Sequence, residues 1–144
     1  MFSQWFSSKP QYKVGFDDVL HAIQNRDTCI LLNTLPSNEQ QCLILGTLNM
    51  DSEVSTMNTL LANNHHNQTI LIYGKHACDL TPDDKYTQLT GLGFTQVYVY
   101  NGGLFEWLLL QDIYGDAFTT TSKNRDILQY RPKSILKTLR LTAS

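Results

Sequence analysis

Cysteine is scarce in this chain, and the three it has, Cys29, Cys42 and Cys78, form no Cys-x-x-Cys pair. An odd number at that spacing gives neither a disulfide framework nor a zinc pattern, so reduced thiols are expected. Histidine is equally sparse. The adjacent His65 and His66 sit in the polar stretch "ANNHHNQT" without metal-ligand spacing and read as loop residues. Long apolar runs are missing too. The longest, "FEWLLLQDIYG", is broken by Glu106 and Asp112 and falls short of the ~18 to 20 residues a bilayer crossing needs, so no transmembrane segment is expected. The opening "MFSQWFSSKPQYK" lacks the charged start, apolar core and cleavage site of a secretory signal, and has no arginine for a mitochondrial presequence. A cytoplasmic chain is the expectation.

What is present is enough for one core: 144 residues, 42% apolar and 17% charged, predict a single domain. Its charge is unevenly spread. Through residue 122 there are five Lys/Arg against twelve Asp/Glu, a balance of −7, and from Lys123 onward six against one, a balance of +5. The body is acidic and the tail basic.

Apolar runs alternate with helical periodicity along the chain. A short strand ends at Val14 and Gly15, followed by a helix with Phe16, Val19, Leu20 and Ile23 at helical spacing and Asp17 and Asp18 in its first turn. "TCILLNTL" and "QCLILGTLNM" read as buried strands. Asp51 or Ser52 is expected to cap a helix carrying Val54, Met57, Leu60 and Leu61, and "QTILIYG" is the next strand. Thr81 as N-cap, Pro82 at the first helical position and Asp83 and Asp84 behind them start another helix, "DDKYTQLTGLG", which glycine ends. "TQVYVY" is a strand whose Tyr98 and Tyr100 face away from Val97 and Val99 and serve packing. Gly102 and Gly103 make a turn requiring positive φ, and a final helix sets Phe105, Leu108 and Leu109 on one face with Trp107 anchoring it. Strands and helices in this alternation predict an α/β domain with a largely parallel sheet.

Three stretches resemble the rhodanese family, a single-domain sulfurtransferase fold. "LGFTQVYVYNGGLFEW" (92–107) resembles its Leu-Gly-Phe, strand, Gly-Gly and Trp, with Gly102, Gly103 and Trp107 at the matching spacing. "GTLNM" (46–50) resembles the segment leaving the third strand, and "LIYG" (71–74) the strand that delivers the catalytic loop. The resemblance implies a rhodanese-like α/β fold, a central, largely parallel five-stranded sheet flanked by helices. It covers roughly 12–115, leaving 1–11 as an apolar N-terminal extension and 116–144 as a basic C-terminal extension.

The departures from the family bear on function. Gly74 stands where the resemblance places a persulfide-forming cysteine, Asn33 and Leu35 where it places Asp and Arg, and Cys42, Leu43 and Ile44 where it places Gly-His-Ile. No catalytic residue and no cofactor or metal are therefore expected. Cys78 is the alternative nucleophile: it lies three residues before Thr81, near a helix N-terminus, with Lys75 and His76 supplying positive charge. Against it, Asp79, Asp83 and Asp84 surround the same helix end, where carboxylates raise a thiol pKa and repel anionic substrates. Cys78 is expected to be buried or inert, as are Cys29 and Cys42. Binding of a small anion in the vacated loop is a third reading.

Phe2, Trp5 and Phe6 share one apolar face at i, i+3, i+4 spacing, and Lys133, Lys137 and Arg140 interleave with Ile135, Leu136 and Leu139. The N-terminal face is expected to cover either the domain's own surface or a partner's groove. The basic end is expected to dock on another protein, an anionic membrane or the chain's own acidic body, with a protein partner through both ends the reading adopted. Nucleic acid is the least supported partner, because the tail lacks aromatic interleaving and basic density. The chain thus reads as a catalytically inactive rhodanese-like module for protein interaction or structure, within a larger assembly, with a Cys78 sulfurtransferase as the competing reading.

Overall fold

A computed structural model describes residues 11–123 and 126–137 of the chain. The elements run β1 (Lys13–Val14), α1 (Phe16–Gln24), β2 (Cys29–Asn33), α2 (Met50–Ala62), β3 (Thr69–Tyr73), α3 (Thr81–Gly91), β4 (Gln96–Tyr100) and α4 (Gly103–Tyr114). Short 3₁₀ turns occupy Ser37–Glu39 and Ile127–Tyr130. The strands form one sheet in the order β1-β4-β3-β2, and every pairing is parallel. This is the rhodanese-like α/β architecture the sequence pointed to, with four strands where five were expected.

The missing strand has a physical cause. "QCLILGTLNM" lies beside β2, yet it meets the sheet only through a single bridge between Thr47 and Leu31, with the Leu48 N–H donating to the Leu31 carbonyl (2.8 Å). Gly46, at φ +95°, turns the chain there. The preceding residues are engaged elsewhere. Ile44 pairs antiparallel with Thr120, the Leu45 N–H donates to the Thr119 carbonyl, and the Thr121 N–H to the Leu43 carbonyl. The return segment after α4 has taken up hydrogen bonds that a fifth strand would have used.

The strands β2, β3 and β4 bury both faces, as parallel strands covered by helices do, while the edge strand β1 is only partly buried. Leu31, Leu71, Tyr73 and Tyr100 face α1 and α4 and join Val19, Leu104, Trp107 and Leu108 in one core, which Phe118 and Tyr130 close. Leu32, Ile70, Ile72 and Val97 face the other way, onto Met57 of α2 and Leu89 of α3. Trp107 is the anchor expected of it: fully buried, edge-on to Phe118 with ring centroids 5.0 Å apart, its indole N–H donating to the Thr119 carbonyl (3.0 Å).

Some local expectations shift by one to three positions. Asn49, not Asp51 or Ser52, caps α2, its side chain accepting from the Asp51 N–H, and Val54 points to solvent. The buried face of α4 is Leu104, Trp107 and Leu108, while Leu109 is exposed. Phe2, Trp5, Phe6 and Arg140 lie outside the described residues. No described helix is long and apolar enough to cross a membrane.

Candidate functional site

The parallel register aligns the ends of the strands: Asn33 pairs with Tyr73, Tyr73 with Tyr100, and Tyr100 with Val14. Loops leaving this carboxyl edge meet each other, which is where open α/β sheets place their sites. β3 runs into Gly74, which is buried, and the loop 74–80 then delivers the chain to α3. The first turn of α4 packs beneath it, the Leu104 N–H donating to the Gly74 carbonyl and the Phe105 N–H to the Lys75 carbonyl, both at 2.9 Å. Two orphan donors of a helix N-terminus are thereby satisfied by the loop itself.

Gly103 makes that approach possible. Its φ is +69°, and a Cβ there would sit 2.8 Å from the His76 nitrogen and 2.9 Å from the Lys75 carbonyl carbon. Both are backbone atoms and cannot swing aside. The expected positive φ is thus at Gly103 and not at Gly102. Next to it, Tyr100 donates its hydroxyl to Glu106 (2.6 Å), and burial, with that carboxylate, pushes the phenol pKa up.

Asp79 dominates the loop interior. One carboxylate oxygen accepts the Lys75 N–H (2.9 Å), and the other accepts both the Thr81 N–H (3.0 Å) and the Thr81 hydroxyl (2.7 Å). Burial alone would raise its pKa. The three hydrogen bonds, helped by the charge of His76, outweigh that and hold it below the ordinary carboxylate value. The same carboxylate closes the space beside Gly74: a Cβ built there falls inside van der Waals contact with Asp79 Oδ2 and 2.7 Å from Pro82 Cγ. The sequence pointed to Thr81 as the N-cap, but Thr81 is the first residue of α3 and gives its own N–H to Asp79.

Two neighbouring charges are paired. Lys75 reaches Glu39 at 3.0 and 3.1 Å, and Asp83 is held by Lys13 at 2.6 Å and by the Tyr12 hydroxyl at 3.3 Å. Of the three carboxylates expected around this helix end, Asp79 is the one that enters the loop. Above it opens a shallow cleft of about 190 Å³ lined by Thr34, Pro36, Lys75, His76, Asp79 and Thr81. An anion entering it meets a fixed carboxylate, while Lys75, the lysine among the described lining residues, is already paired with Glu39.

Cys78 lies at the apex of the loop and is exposed, which corrects the expectation of burial. The 77–78 turn carries it outward, its backbone N–H donating to His76 Nδ1 (3.1 Å). Cys29 is half-buried in β2 and Cys42 is buried, its Sγ 3.5 Å from the Ser122 carbonyl. His65 is exposed and His66 packs against Phe94. Lys133 and Lys137 are exposed on the tail, far along the chain from the loop.

Asn33 is buried at the end of β2 in an amide pair with Gln40. Its Nδ2 donates to Gln40 Oε1 (3.1 Å), and its Oδ1 accepts from Gln40 Nε2 (2.8 Å) and from the Leu35 N–H (3.0 Å). Leu35 is a core residue. Nothing in the sequence announced Gln40, because a glutamine seven residues beyond a strand carries no spacing signal. Asp79 was visible as a charge but not as the occupant of the loop.

Fold and loop together define an α/β domain whose candidate site is a strand-to-helix loop at the carboxyl edge of a parallel sheet. Within that class the chain belongs to the rhodanese-like domain family, whose model matches residues 16–110. No curated protein matches the chain. Among solved structures, it is similar to the BH2092 protein from Bacillus halodurans, with 16% identity, a TM-score of 0.57, and coverage of 74% of this chain and 78% of that one. The Alr3790 protein from Anabaena sp. matches at 17% identity and a TM-score of 0.54, over 90% of this chain and 87% of the other. A thiosulfate sulfurtransferase from Pseudomonas aeruginosa shares the fold at 16% identity and a TM-score of 0.51, over 69% of this chain and 19% of its own length.

Proposed function

We propose that this rhodanese-like domain does not transfer sulfur and serves as a binding or structural module. One observation carries the reading: Asp79 fills the space beside Gly74, so the loop holds its own carboxylate where a sulfur-bearing side chain would have to stand. The Lys75 and Thr81 N–H groups that converge on the loop already have an acceptor, and the chain supplies it internally. With Lys75 committed to Glu39, the cleft offers no unpaired ammonium to an incoming thiosulfate, and anion binding in the loop is disfavoured with it.

The test is intact-mass spectrometry of the native protein after mixing with thiosulfate, together with a thiosulfate-to-cyanide turnover assay. The reading expects no +32 adduct, the mass of one sulfur atom, and no turnover. A persulfide on any cysteine together with turnover would sink it.

The exposure of Cys78 favours one competing reading, a displaced thiol nucleophile. That reading requires brief iodoacetamide treatment to label Cys78 much faster than an unactivated thiol, and Cys78→Ser to abolish any activity. Equal behaviour of Cys78→Ser and the parent in every assay removes it.

A further inference from the structure

We propose that two copies of this chain associate through the outer face of α4 of one copy and the 133–137 segment of the other. Leu109 and Ile113 lie four residues apart, on one stripe of α4, and are 39% and 68% exposed. Asp112 stands beside them and Asp116 just past the helix end, both exposed. The Ile127–Tyr130 turn packs against this helix and leaves Leu128 exposed. The patch is apolar with an acidic rim.

The 133–137 segment is its complement. Ile135 and Leu136 are 72% and 81% exposed, and Lys133 and Lys137 flank them. Ser134 Oγ accepts the Lys137 N–H (3.2 Å), an N-cap geometry that presents this apolar pair at the start of a helical turn. The ion pairs among the described residues, Lys13–Asp83, Lys75–Glu39 and Lys85–Glu53, use none of the two acidic and two basic groups at issue.

Among the described residues both patches are exposed and do not cover each other. Opposite charge and matching apolar residues on the same chain make a second copy the occupant, since a two-fold pairing satisfies both patches twice. The inference concerns a surface away from the 74–80 loop and stands whether or not the domain transfers sulfur.

Sedimentation velocity of the full chain from about 1 to about 200 µM, at low and high salt, tests it. A small interface of this kind is expected to dimerise with a dissociation constant on the order of 10 µM, weakened by salt. Ile113→Ser and Leu136→Ser, both at solvent-facing positions, should each weaken the dimer by at least about tenfold. A charge exchange supplies the decisive arm. Asp112→Lys/Asp116→Lys and Lys133→Glu/Lys137→Glu should each be monomeric alone, with unchanged circular dichroism, and should form a 1:1 heterodimer when mixed. A parent chain that stays monomeric throughout, or exchanged variants that fail to pair on mixing, overturns the proposal, including the case in which a different protein uses either patch.

Discussion

Replacing Gly74 with cysteine would place a thiol where the family resemblance expects one, and the structure says what it would meet. The new Cβ would collide with Asp79 Oδ2 and stand 2.7 Å from Pro82 Cγ, inside the first turn of α3. Pro82 is buried and cannot retreat. Asp79 must therefore move, giving up its bonds from the Lys75 N–H, the Thr81 N–H and the Thr81 hydroxyl. Overpacking costs about 1–3 kcal/mol and the loss of a hydrogen bond to a charged group about 1.5–3 kcal/mol, so Gly74→Cys should destabilise by about 3–5 kcal/mol. Asp79→Ala alone should cost about 1–3 kcal/mol through the lost cap and the donors it leaves. The double variant should fall well short of the sum, because Asp79→Ala removes one of the two collisions, with a coupling of about 1–2 kcal/mol. Urea unfolding of the four proteins at pH 7 measures this cycle. Simple additivity, or a Gly74→Cys protein as stable as the parent, would refute the claim that Asp79 occupies the space beside Gly74.

The pH dependence has a definite sign. Asp79 titrates below its ordinary 3.8, so its contribution is present at neutral pH and lost as pH falls through its folded value; the stability gap between the parent and Asp79→Asn should narrow in acid below about pH 4. Asn33→Asp should destabilise by about 1–3 kcal/mol at pH 7, because a carboxylate would face the Gln40 oxygen that now accepts from Asn33, and acid should relieve part of that loss. Gly103→Ala combines a left-handed φ with backbone collisions at His76 and Lys75 and should cost about 2–4 kcal/mol by the same urea measurement. Trp107→Ala should cost about 3–5 kcal/mol, with loss of near-ultraviolet dichroism from the Trp107–Phe118 pair.

The strands and helices were legible because buried parallel strands are short apolar runs and the helices between them carry 3.6-residue spacing, as β3 and α1 show. The segment 41–50 misled for the same reason: Cys42, Leu43 and Ile44 are buried, but by the return of 118–121 instead of by a full strand ladder. Apolar content reports burial and not the identity of the hydrogen-bond partner. A related limit hid the amide pair of Asn33 and Gln40, which exists only once the chain after β2 folds back. Of the expectation that Cys78 is buried or inert, the structure removes burial alone: a thiol's burial depends on which way a tight turn points, and the 77–78 turn points outward.

The site depends on a tertiary relation of this kind. In the sequence, Gly74 reads as an absence and Asp79 as one of several carboxylates near a helix start. Folded, the two are a single feature: the missing Cβ at 74 is the room the carboxylate needs, and the carboxylate satisfies N–H donors at both ends of the loop, Lys75 and Thr81. The part-buried Lys75 N–H and the exposed Thr81 N–H both point at one spot, so a loop of this shape favours an anion in residence, whether bound from outside or carried by the chain. Here the anion is tethered five residues away and held by three hydrogen bonds, at an effective concentration that no free sulfur oxyanion in solution matches. Asp79→Ala should therefore be the change that lets thiosulfate or sulfate raise the melting temperature, while the parent protein shows no such shift. An equal response of both proteins to the anion would mean that the carboxylate does not hold the loop.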